Sequence, residues 1–180
     1  MNIVFEKTLC FTGHRPDKLY GYNYKEKGNI KFLLKLKSFI KRFIEKRGIT
    51  TFISGMALGV DMWSAMIVLQ LKKEYPRIKL VCAIPCKNHS AKWNKEDQEL
   101  HAYILSQADY VYYVSEEPYT AWCMHDRDKW MVDQSRIVLA VWNGEEVKGS
   151  GTWVTVKYAK KRQRTIWQLN PHTLEIGLVS

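Results

Sequence analysis

Two kinds of apolar pattern alternate along this chain. Residues 8–12, 50–54, 79–84, 110–114, 137–142 and 165–169 are short, nearly continuous apolar runs, several of them ended by glycine or proline. Such runs predict buried strands. Between them the period changes. From 29 to 47 the residues Ile30, Leu33, Leu34, Leu36, Ile40, Phe43 and Ile44 recur at three- and four-residue steps, and Gly48 follows as a C-terminal cap. That spacing predicts an amphipathic helix. Residues 61–74 are apolar on most sides and predict a helix packed deep. Residues 90–107 should contain a helix with Trp93, Leu100, Tyr103 and Ile104 turned inward. Further helices are expected around 128–135 and over 152–161, and an exposed loop over 21–28.

Strands without a polar face, alternating with helices, predict a mainly parallel sheet covered on both sides, because neither face is wet. The expected architecture is doubly wound α/β. In it a ligand sits outside the carboxyl ends of the strands. The chain has 180 residues, 46% of them hydrophobic, with 10 Gly and 5 Pro, which suits one globular domain over residues 1–180 and argues against disorder. No uncharged run approaches the ~20 residues of a membrane span. The first residues lack the basic and apolar regions of a secretory signal, so a soluble, cytoplasmic protein without membrane contact is expected. Four cysteines are too few for a disulfide framework. Cys82, Cys86 and His89 invite a zinc reading, but Cys82 lies inside a strand run and Cys86 beyond its end, so no metal is expected.

The formal net charge is +10, a balance that raises nucleic acids and phosphorylated small molecules as partners. Residues 18–47 hold ten basic side chains and two acidic ones, mostly on the predicted helix, where a solvated face explains them. Residues 157–164 hold five basic side chains and no acidic one. That cluster is the candidate anion-facing or nucleic-acid patch.

The loops at the strand ends carry the candidate chemistry. Residues 54–61 (SGMALGVD) run from the second strand straight into a helix. Gly55 and Gly59 allow close backbone approach and positive φ, and the helix N-terminus suits a phosphate. The same glycines also serve simple tight packing. Asp61 reads either as a helix N-cap or as an acceptor for ribose hydroxyls. After the first strand, Gly13 precedes His14 and Arg15. Arg15 offers a bidentate phosphate contact or a surface salt bridge, and His14 an acid–base group or a hydrogen-bonded structural residue. Asn143 and Gly144, then Gly149, Ser150, Gly151 and Thr152, form a second glycine-rich entry to a helix. Two such turns in one small sheet point to a two-ended anionic ligand such as a nucleotide. Trp93 and Trp142, near loop mouths, would stack on a base or fill core. Arg127 and Asp128, with Asp133, would close the pocket or be ordinary helix-end charge.

Taken together, CFTGHRP (10–16), ISGMALGVDMW (53–63), AIP (83–85), Trp93, DRDKWMVD (126–133), LAVWNG (139–144) and Gly151-Thr152 resemble the YpsA-like family of the SLOG superfamily, over residues 8–164 and in the same order. That superfamily also includes the DNA-processing protein A fold and the lonely-guy phosphoribohydrolases. The resemblance implies a Rossmann-like fold and a ligand among nucleotides, nucleotide sugars and NAD-derived or ADP-ribose-like molecules, with no further cofactor required. It implies that Pro85 lines one pocket with the loops above. The expected ligand-contacting residues are Gly13, His14 and Arg15; Ser54, Gly55, Ala57, Gly59 and Asp61; Pro85 and Trp93; Arg127 and Asp128; and Asn143, Gly144, Gly149, Ser150, Gly151 and Thr152.

The hydrolases carry PGGxGTxxE, whereas this chain reads KGSGTWVT over 148–155, without the leading proline or the glutamate. A sensor or sequestering protein, forming a homo-oligomer, is therefore the expectation. The alternatives are single-stranded DNA binding and nucleotide N-glycoside hydrolysis, with His14 and Asp61, joined by Asp128 in the same pocket, as catalytic candidates.

Overall fold

The computed structural model describes residues 2–116, 120 and 122–179. Seven strands form one sheet: β1 (Thr8–Gly13), β2 (Thr51–Ser54), β3 (Lys79–Ile84), β4 (Tyr110–Tyr113), β5 (Ile137–Val141), β6 (Thr165–Leu169) and β7 (Ile176–Leu178), in the order β4-β3-β2-β1-β5-β6-β7. All neighbouring pairs are parallel except β6 with β7. The five α-helices are α1 (Lys27–Arg47), α2 (Val60–Lys72), α3 (Lys95–Gln107), α4 (Cys123–Asp133) and α5 (Gly151–Lys161).

The strand residues are mostly apolar, and the pleat sorts them by parity. Leu9 and Phe11 of β1, with Ile137, Leu139 and Val141 of β5, enter the core that α1, α2 and α3 cover. Cys10, Val138 and Ala140 enter the opposite core, beneath α4 and α5. Both faces being buried is the physical cause of the continuous apolar runs. Helix α1 contributes Phe32, Leu36, Phe39, Ile40 and Phe43 and ends at Gly48, whose φ of 62° supplies the left-handed cap. It begins two residues before the periodic signal, at Lys27. Buried Asn29 explains this, since its side chain accepts from Tyr20 N at 3.3 Å and donates to the carbonyls of Gly21 at 3.1 Å and Asn23 at 2.8 Å.

Three expectations change. Tyr103 is 51% exposed rather than inward, and the inward face of α3 is carried by Ile104 and Leu100. Trp93 lies in the turn before α3 and packs edge-on against His89 and His101, with ring centroids 4.8 and 5.4 Å away. The helix expected around 128–135 starts earlier, at Cys123. β7 was not predicted: three residues pairing at a sheet edge, one of them Gly177, leave too short a pattern to read.

The chain lays β1 to β4 outward on one side and then returns to place β5 on the other side of β1. The loops after β1 and β5 therefore diverge, and a crevice opens between them at the switch point.

Candidate functional site

A cleft of about 300 Å³ occupies that crevice, lined by Thr12, Gly13, His14, Arg15, Asp17, Lys18, Ala57, Asp61, Met124, His125, Arg127, Asp128 and residues 149–152. Gly13 ends β1 where β5 and the start of α2 converge. A Cβ there would lie 2.6 Å from Val60 Cγ1 and 2.8 Å from the Val141 carbonyl, so only glycine fits. His14 is buried, and its Nε2 meets Asn143 twice, at Oδ1 (3.2 Å) and at the backbone N–H (3.3 Å). Burial pushes the His14 imidazole below its ordinary pKa against the opposing pull of Asn143. A neutral ring at pH 7 fits a latch between the β1 and β5 loops. Asn143 itself lies in an adjoining recess with His14, Lys18 and Ser150.

The 54–61 loop is a knot tied by its own side chains. Ser54 Oγ donates to the Asp61 carbonyl at 2.8 Å and accepts from Met56 N–H at 3.1 Å, and Asp61 Oδ2 accepts from Ala57 N–H at 3.4 Å. Gly59, at φ 90°, sits where a Cβ would come within 2.8 Å of the His14 carbonyl. Both loop glycines thus serve close packing. A Cβ on Gly55 would collide with the Arg127 guanidinium, which donates to the Gly55 carbonyl.

Arg127 is 4% exposed and reaches the floor of the cleft from α4. Its Nε lies 2.7 Å from Asp128 Oδ1 and its Nη1 3.5 Å from Asp61 Oδ2. Burial pushes the Asp61 carboxyl up to about 6; Arg127 pulls it down, while neighbouring Asp128 adds to the rise. The floor is thus one cation between two carboxylates. At the rim stand exposed Arg15, Asp17 and Lys18. Opposite them, helix α5 begins at the N-cap Ser150, whose Oγ accepts from Trp153 N–H at 3.5 Å. The first helical bond to the Ser150 carbonyl comes from Val154. This leaves the N–H groups of Gly151 and Thr152 without intrahelical acceptors at the cleft they line. Gly149, at φ 84°, and Gly151 face open space.

Gly13, His14, Arg15, Ala57, Asp61, Arg127, Asp128 and residues 149–152 thus come together from the expected set. Ser54, Gly55 and Gly59 lie behind the wall as supports. Pro85, Trp93 and Gly144 lie outside the cleft, and Trp142 is buried against Trp153 at 5.9 Å between centroids. Lys18, Met124 and His125 line it without having been expected. Lys18 carried a signal, being three residues after Arg15, whereas His125 is placed only by the early start of α4. No cluster of three or more metal-ligating side chains occurs among the described residues.

The strand order and the switch-point cleft define a doubly wound α/β protein of Rossmann-like form. The chain belongs to the YspA SLOG family, whose model matches residues 9–174. A UPF0398 protein of Brevibacillus brevis is 37% identical over 164 residues, covering 91% of this chain and 86% of that one. A UPF0398 protein of Bacillus cereus is 31% identical over 161 residues, covering 87% and 84%. Among solved structures, DNA processing protein A of Streptococcus pneumoniae superposes with a TM-score of 0.60 at 20% identity, over 94% of this chain and 53% of that one. The Helicobacter pylori protein of that name, described as binding single-stranded DNA, superposes with a TM-score of 0.57 at 14% identity, over 92% and 66%. The present chain thus spans about half to two thirds of those proteins, and the likeness is one of fold.

Proposed function

We propose that the switch-point cleft binds a nucleotide or ADP-ribose-like ligand, and that the protein senses or sequesters this ligand without hydrolysing it. The two-tier charge arrangement carries the reading. At the rim, Arg15, Lys18 and the α5 N-terminus offer donors and positive charge to a phosphate. On the floor, Asp61 and Asp128 around Arg127 offer carboxylate oxygens to sugar hydroxyls. A sugar phosphate matches both tiers at once; a simple anion matches only the rim. Against hydrolysis, the chain lacks the glutamate that follows the GT motif in the phosphoribohydrolases, and His14 is engaged with Asn143.

Thermal shift against ADP-ribose, cyclic ADP-ribose, NAD, AMP and cyclic dinucleotides tests this. A ligand at ~100 times its Kd should stabilise the protein by about 2.7 kcal/mol, and recovery of intact ligand after denaturation supports the non-hydrolytic reading. Absence of any shift refutes the site. Appearance of free base, lost in Asp61→Asn, refutes the absence of catalysis.

A second reading is single-stranded DNA binding, favoured by exposed Lys157, Lys160 and Lys161 on the outer turns of α5. Its mark is an affinity that falls steeply with salt. The neighbouring Arg162 is already paired, with Nε 2.8 Å from Asp133 Oδ1, so the patch is weaker than the sequence suggests. Among the described residues no helix is long and apolar enough to cross a membrane.

A further inference from the structure

A second recess, of about 240 Å³, opens between α4 and α5 beside the cleft, lined by Trp122, Lys129, Val154, Thr155 and Tyr158 together with His125 and Asp128. The last two also line the cleft, so the two cavities share a wall. The recess is built differently from the cleft. Trp122 is 68% exposed, the most exposed large hydrophobic side chain of the described residues, and its indole stands 6.0 Å from the His125 ring between centroids. Val154 and the Tyr158 ring add apolar surface, while the Tyr158 hydroxyl is turned away to donate to Asp133 Oδ2 at 3.0 Å. Asp128 marks the boundary and is held in place from both sides. Its Oδ1 faces Arg127, and its Oδ2 lies 3.1 Å from Thr155 Oγ1.

We propose that this recess is the base subsite of the ligand: an aromatic base stacks on Trp122, the sugar crosses at Asp128, and the phosphate lies at Arg15 and the α5 N-terminus. The order of chemistry along the connected cavities carries the inference. Positive rim, carboxylate boundary and apolar aromatic recess follow one another as phosphate, ribose and base do in a nucleoside phosphate. An exposed indole offers a π-face to any base, so the subsite favours an aromatic base over none without reading its identity. This rests on the cleft being a sugar-phosphate site, and it adds what that reading leaves open, where the base goes and which residue selects for it.

Isothermal titration of the full chain with AMP and with ribose 5-phosphate, for wild type, Trp122→Ala, Trp122→Phe and Arg15→Ala, tests it. Wild type should bind AMP about five- to a hundredfold more tightly than ribose 5-phosphate, the range expected for one base stacked on an aromatic ring. Trp122→Ala should reduce AMP to the affinity of ribose 5-phosphate and leave ribose 5-phosphate unchanged, while Trp122→Phe restores most of the preference. Arg15→Ala should weaken both compounds alike. Equal binding of both compounds by wild type, or an AMP preference surviving in Trp122→Ala, overturns the subsite and leaves the cleft reading standing. Loss of both compounds in Trp122→Ala overturns it as well, because the indole would then be structural. If wild type binds neither, the subsite as drawn for a nucleoside phosphate falls, and the cleft reading falls with it only when ADP-ribose, cyclic ADP-ribose, NAD and cyclic dinucleotides also give no thermal shift. A dimer by sedimentation that Trp122→Ala converts to monomer would assign the recess to a second copy, and that too overturns the subsite.

Discussion

Removing the charge of Asp61 should stabilise the protein at neutral pH. The carboxylate is only 8% exposed, and its surroundings raise its pKa from 3.8 to about 6, chiefly through burial. The attraction of Arg127 is already contained in that value. Ionising Asp61 at pH 7 therefore costs the native state about 3 kcal/mol more than it costs the unfolded chain. Asp61→Asn preserves the shape and removes the charge, and Arg127 retains Asp128 at 2.7 Å and the Gly55 carbonyl. The new amide needs acceptors of its own, so about half of the cost should be recovered. That amounts to roughly 1–2 kcal/mol, or about 2–8 °C in Tm for a chain of this length.

The pH dependence has a definite sign. A carboxyl whose pKa is higher folded than unfolded holds its proton more tightly in the native state, so its stabilising contribution is complete below 3.8 and is lost as pH rises through about 6. Because the variant recovers only about half of the cost, wild type should be the more stable of the two below pH 4 and the less stable above pH 7, with the profiles crossing at about pH 5. Scanning calorimetry of both proteins from pH 4 to 8 measures this difference directly, and other titrating groups cancel from it. A variant less stable than wild type at pH 7.5, or a pair of parallel profiles, would refute the electrostatic account of the cleft floor.

Three further outcomes follow from the same geometry. His89 Nε2 lies 3.1 Å from the Met56 carbonyl, and burial, aided by Arg127, pushes its pKa down to about 3. Its contribution is present above 6.5 and lost as pH falls, so His89→Gln should gain on wild type steadily below pH 6.5 in urea titrations. Gly59→Ala forces a Cβ to within 2.8 Å of the His14 carbonyl at a φ of 90°, and should lower stability by about 1–3 kcal/mol or more. Gly48→Ala, at φ 62° with open space around it, should cost only about 1 kcal/mol; equal losses in thermal melts would contradict the packing role of the loop. Arg15 is exposed, so Arg15→Ala should leave Tm unchanged while weakening a phosphate-bearing ligand about tenfold or more, as expected for a lost charge-assisted hydrogen bond. Unchanged affinity in equilibrium dialysis would remove Arg15 from the site.

The apolar runs and the three- and four-residue steps of α1 were enough to place most elements, because each residue's polarity reports its own burial and two buried faces leave a continuous signal in the strands. The glycine-bearing turns at the strand ends were legible for a related reason: Gly13 and Gly59 stand where no Cβ fits. What joins different elements was not legible. Sequence patterning did not show that Arg127 crosses beneath Gly55, 72 positions earlier in the chain. Nor did it show that Asp133 answers the positive charge of Arg162, or that Trp93 turns onto two histidines while Trp122 stands exposed beside the cleft. Those pairings depend on the strand order and on the rotational phase of each helix. Local periodicity carries neither, since both are settled only when the two faces of the sheet are packed together.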